Sequence, residues 1–100
     1  MQLHGVGHTT TATTATLAAA PGAGKKIVVT DLHISAAGPS TVTAGFSGTN
    51  QRVYDLAANQ TVDDVGMKWE GDENAAFTVQ SGGAVTVDSS IDYHVENYAS

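Results

Sequence analysis

From Lys25 onward, apolar side chains recur at every second position in short runs, and Gly, Pro, Ser, Asn or Asp closes each run. A spacing of two places alternate residues on opposite faces of an extended strand, whereas a helix needs apolar residues three and four apart. No part of this region sustains the helical spacing. In Lys25 to Ala36, Val28, Thr30, Leu32 and Ile34 share one face and leave Ile27, Val29, Asp31 and His33 on the other. Ala37-Gly38-Pro39-Ser40 reads as a turn, and Val42, Ala44 and Phe46 line the next strand. Ser47-Gly48-Thr49-Asn50 then folds this strand against Arg52 to Leu56 as a hairpin, followed by a loop over 57–64. Val65 to Glu70 is a short strand, and Gly71-Asp72-Glu73-Asn74 is an acidic turn. Ala75 to Gln80 and Ala84 to Val87 flank Ser81-Gly82-Gly83 as a second hairpin. Ile91, Tyr93 and Val95 alternate with Asp92, His94 and Glu96 in a last strand with one wet face. Seven or eight short strands at this spacing predict an all-β domain, a single antiparallel β-sandwich or jelly-roll-like barrel.

The segment before Pro21 differs in kind, being almost entirely Thr, Ala, Gly and His. It divides the chain into an extended N-terminal arm, 1–24, and a β-sandwich body, 25–100. Thr9 to Thr16 is rich in β-branched residues and favours extended structure, against one helical turn at Leu17 to Ala20. Met1 to Thr16 lacks the basic start and continuous apolar run of a secretory signal, and no stretch approaches the roughly 20 apolar residues of a membrane span.

Composition bears on partners. Fifteen of the 100 residues are Ala, whereas Val, Ile, Leu and Phe together number only twenty. A core padded with Ala buries little area, so neighbouring copies are expected to complete it. Four Lys and Arg against ten Asp and Glu argue against nucleic acid as partner. The absence of Cys removes thiolate nucleophiles and Cys-ligated zinc.

Several strings invite a chemical reading and fit a plainer one. Ala20-Pro21-Gly22-Ala23-Gly24-Lys25-Lys26 approximates a phosphate-binding loop, but Ala19 stands where the first Gly belongs and Lys26 where Ser or Thr belongs. It is expected to be a linker. His4 and His8 lie four apart, and His33 and His94 fall on polar strand faces; they are read as surface or interface residues without a metal. Glu70, Asp72, Glu73 and Asn74 lack the alternating carboxylates of a calcium loop. Asp63 and Asp64, adjacent on the chain, point apart and cannot face each other across a cleft. No catalytic residue, cofactor or metal is expected, and the chain is read as non-enzymatic. Met67 and Trp69 share a strand face, and Trp69 serves either as core or as an interface anchor. Leu3, His4, Val6, His8, Met67 and Trp69 are the candidate partner-interface residues.

The strand series Lys26 to Ala36, Val42 to Phe46, Asn74 to Gln80, Ala84 to Val87 and Ile91 to Glu96 resembles small β-sandwich accessory proteins of tailed-bacteriophage virions, among them decoration, cement and fibre proteins. The resemblance covers about three quarters of the chain and transfers no functional residue. It implies a virion structural protein, assembled in the host cytoplasm, that clusters as a homo-oligomer, a trimer being favoured. The implied partner is a major capsid or other virion protein, with no nucleic acid or membrane. The competing expectation is a receptor- or glycan-binding module of a fibre or spike, for which Tyr54, Trp69, Tyr93 and Tyr98 are the aromatic platforms.

Overall fold

A computed structural model describes residues 2–11, 13–46 and 51–98. Among these, nine strands occur and no helix: β1 (Leu3–Thr9), β2 (Thr14–Ala18), β3 (Lys25–Ala36), β4 (Ser40–Phe46), β5 (Gln51–Leu56), β6 (Gln60–Asp64), β7 (Trp69–Glu70), β8 (Phe77–Ser81) and β9 (Val87–Asn97). They form two antiparallel sheets. Sheet A runs β1-β9-β3-β6, with the two-residue β7 also on β3, and sheet B runs β2-β8-β4-β5. With β7 set aside, consecutive strands alternate between sheets in the first half, and the eight longer strands close a double Greek key. The chain is a jelly-roll β-sandwich.

The expected hairpin of β4 and β5 forms, from Ser40 opposite Leu56 to Gly45 opposite Gln51. The turn assigned to Ser47-Gly48-Thr49-Asn50 lies outside the described residues. The second expected hairpin is corrected: β8 pairs with β2 and β4, whereas Val87 begins β9 in the other sheet. Val85 and Thr86 belong to the crossing between sheets, where Thr86 accepts a bond from Ala37 N at 2.9 Å. Residues 60–64, read as loop, are strand because the edge of β3 opposite β9 pairs with them over Leu32 to Ala36.

The N-terminal segment is extended as expected over β1 and β2, but it is not a detached arm. β1 pairs with β9 over seven residues and β2 with β8, so the segment supplies one edge strand to each sheet. Its lack of large side chains has a steric cause. Gly5 and Gly7 lie over Leu17 of β2, and a Cβ on Gly5 would overlap the Leu17 carbonyl oxygen. β-Branched Thr supplies strand propensity without bulk.

β3 does not keep one apolar face. Its register on β9 shifts between Val29 and Asp31, so Ile27 and Val29 face the core before the shift and Leu32, Ile34 and Ala36 after it. Thr30 is the extra residue of a β-bulge. Its carbonyl accepts from Met67 N at 2.9 Å, while Asp31 Oδ1 accepts from Gly66 N at 2.9 Å, which anchors the loop between β6 and β7 at the bulge.

The core is less Ala-padded than composition suggests. Of the eighteen buried hydrophobic residues among those described, only Ala18, Ala36, Ala44 and Ala75 are Ala. Phe46, Trp69 and Phe77 meet edge to face with centroids 5.1 to 5.7 Å apart. Each such pair adds about 0.5–1.5 kcal/mol beyond its buried area. The radius of gyration is 13.1 Å, that of a closed 100-residue domain. The buried core is thus built mainly from branched and aromatic side chains of the single chain, and contacts with neighbouring copies fall to its outer surface.

Candidate functional site

The two sheets present chemically different outer faces. On sheet A, strand alternation turns His4, Val6 and His8 of β1 outward beside Asp92, Ser90 and Asp88 of β9, in direct register. His4 Nδ1 bonds Asp92 Oδ1 at 2.8 Å, and His8 bonds Asp88. One strand further, His33 Nδ1 meets Asp63 Oδ1 at 2.5 Å across β3 and β6, and on β9 His94 Nε2 meets Glu96 Oε2 at 2.6 Å. Lys26 pairs with Glu70 beside them. All four histidines of the chain thus sit on one face, each with a carboxylate partner. The His4 imidazole holds the Asp92 carboxyl below the usual range, His94 does the same for Glu96, and the Lys26 ammonium does so for Glu70.

An open depression of about 210 Å³ lies between β3, β6 and β9, where His33, Ser35, Thr61, Asp88 and Ser90 line it. No group of three or more His, Asp or Glu side chains converges to hold a metal ion among the described residues.

The outer face of sheet B carries Thr14 and Thr16 of β2, Thr78 and Gln80 of β8, Thr41 and Thr43 of β4, and Gln51, Val53 and Asp55 of β5. Among these, Asp55 alone is charged, and it accepts a bond from the Thr41 hydroxyl at 3.0 Å. Arg52, three residues before Asp55, turns the other way and lies over the Trp69 ring at 4.2 Å.

Of the candidate interface residues, His4, Val6 and His8 are exposed together on β1. Leu3 is half-buried in the same strand, and Met67 packs against the core with its sulfur 4.0 Å from Arg52. Trp69 is removed from this set as an exposed anchor, because only 4% of it is accessible. The aromatic platforms do not gather either: Trp69 is core, Tyr54 and Tyr93 pack against it, and Tyr98 stands apart near the C-terminal end.

The glycine-rich string before β3 is a turn held by the acidic one. Gly22 N donates to Asn74 Oδ1 at 2.8 Å and Gly24 N to Glu73 Oε2 at 2.6 Å. Gly22 and Gly24 both have positive φ, a region that favours Gly. Asp63 and Asp64 point apart, Asp63 to His33 and Asp64 to the Tyr54 hydroxyl at 3.4 Å. What residue-by-residue reading missed is the histidine–carboxylate pairing. Its signal was present, since His4 and His8 on β1 have the same four-residue spacing as Asp88 and Asp92 on β9.

Fold and surfaces together define a jelly-roll β-sandwich with one ionic and one nearly uncharged face. No family model matches the chain, and no curated protein matches it. Among solved structures it is similar to one described as the cryo-EM structure of the giant freshwater prawn Macrobrachium rosenbergii extra small virus (XSV) VLP. The TM-score is 0.47 at 11% identity, over 99% of this chain and 80% of that one.

Proposed function

We propose that this chain is a non-catalytic structural protein of a virus particle, in which many copies dock through the outer face of sheet B. The contrast between the two outer faces carries the reading. A chain with net charge −6 meets an acidic or identical neighbour at least electrostatic cost through a surface that holds almost none of its charge. On docking, the Thr and Gln side chains of sheet B can exchange water for a neighbour's backbone and hydroxyl groups, whereas each ion pair of sheet A would lose solvation. The finer form of the proposal is decoration or stabilisation of a phage capsid, with the major capsid protein as partner. Jelly rolls also serve sugar-binding domains, so the fold by itself supports a class of architecture and no single role.

The test is a charge placed on the docking face. Thr43→Lys and Thr16→Glu, both outward on sheet B, should leave the fold intact and reduce recovery of the protein with gradient-purified particles. Charge added on sheet A at Ser35 should reduce it less. Equal recovery of all three variants would remove sheet B as the docking face.

A further inference from the structure

We infer that β1 pairs edge to edge with β1 of a second copy, antiparallel and about a two-fold axis through Val6. Each sheet has two edges, the one beyond β3 being shared by β6 and the two-residue β7, and an edge with unpaired N–H and C=O groups is a template for another strand unless something blunts it. Three of the four edges carry such a device. β2 is interrupted by a register shift between Thr16 and Ala18, β5 carries Arg52 and Asp55, and β6 is short and ends in Asp63-Asp64. β1 carries none. It runs seven residues on β9 without a shift and contains no Pro, Lys, Arg, Asp or Glu. Its central residue, Val6, is 67% exposed on the outward face.

The occupant is a second copy because β1 is self-complementary. Around Val6 the strand reads His4-Gly5-Val6-Gly7-His8, the same in both directions. Antiparallel pairing centred there sets Val6 against Val6 and each His4 against His8 of the other copy, while Gly5 and Gly7 oppose each other above the two Leu17 side chains. Each imidazole stays with its own carboxylate on β9. Such a contact is isologous and closes at two copies, joining both A sheets into one. It therefore predicts a dimeric unit in place of the trimer expected from the sequence. The pairing concerns the free chain in solution and stands or falls apart from the particle reading.

Sedimentation velocity of the full chain from about 1 to 100 µM should show a monomer–dimer equilibrium. Val6→Glu sets two like charges against each other on the axis and should weaken the dimer by at least about tenfold, while Val6→Thr should leave it within about threefold. Amide exchange of the wild-type chain gives a second reading that needs no variant: protection within 3–9 should rise with concentration, and protection within 51–56 should not. A monomer throughout the range overturns the inference. So does a dimer whose exchange within 3–9 is independent of concentration.

Discussion

Gly5 of β1 faces Leu17 of β2 so closely that the Leu17 carbonyl occupies the space a Cβ would need. The middle of β1 is thereby packed directly onto the backbone of β2, holding the N-terminal strands of the two sheets together. Backbone cannot yield as a side chain can, so Gly5→Ala should destabilise the chain by about 2–4 kcal/mol. Gly7→Ala, whose nearest neighbour at 2.7 Å is the movable Leu17 Cδ1, should cost less. Urea unfolding of both variants measures the difference.

Trp69 closes the core against Phe46 and Phe77, with Arg52 over its ring. Trp69→Ala should lower stability by about 3–5 kcal/mol. Trp69→Phe, which keeps an aromatic ring in the site, should cost clearly less. Were Trp69→Ala to leave the unfolding midpoint unchanged, the ring could not be core.

Thr9, at the end of β1, buries its hydroxyl without a hydrogen-bond partner among the described residues. Val has nearly the same shape and no donor to satisfy, so Thr9→Val should stabilise the chain by about 1 kcal/mol. The sign alone, read from thermal unfolding, checks the environment assigned to this residue.

Asp92, Glu96 and Glu70 titrate below the ordinary carboxylate range when folded, held there chiefly by His4, His94 and Lys26. Near that range the unfolded chain binds protons that the folded chain refuses, so stability rises with pH there. The contribution is fully present above the unfolded values and disappears as pH falls through the depressed folded ones. Urea midpoints between about pH 6 and pH 3 should fall with acid, and Asp92→Asn should flatten part of that fall.

The strand alternation and turn residues made the sandwich legible in the sequence, and the hairpin of β4 and β5 could be read directly. Misreadings arose where long-range pairing outweighed local pattern. Ser81-Gly82-Gly83 looked like a hairpin turn, yet the chain crosses between sheets after β8 because β9 is claimed by β3 and β1. The bulge at Thr30 exchanged the faces of β3 midway, and alternation alone gives no warning of such a shift. The arm reads as a segment apart from the body because it is almost entirely Thr, Ala, Gly and His, with Gly5, Gly7 and Ala15 among its inward positions. Those small residues are what allow β1 and β2 to approach. Deleting residues 1–20 would remove an edge strand from each sheet, so truncation cannot separate attachment from folding. Of the candidate surface, the shared face of His4 and His8 was legible from their four-residue spacing, whereas their carboxylate partners required the register of β1 on β9.

The chain is proposed to be a repeated component of a particle. Quantitative mass spectrometry of gradient-purified particles tests this most directly, by giving its copy number relative to the major shell subunit. A fixed, near-integer ratio that persists through high-salt washing is expected. A chain absent from the particles, or present at a trace level that varies between preparations, would contradict it.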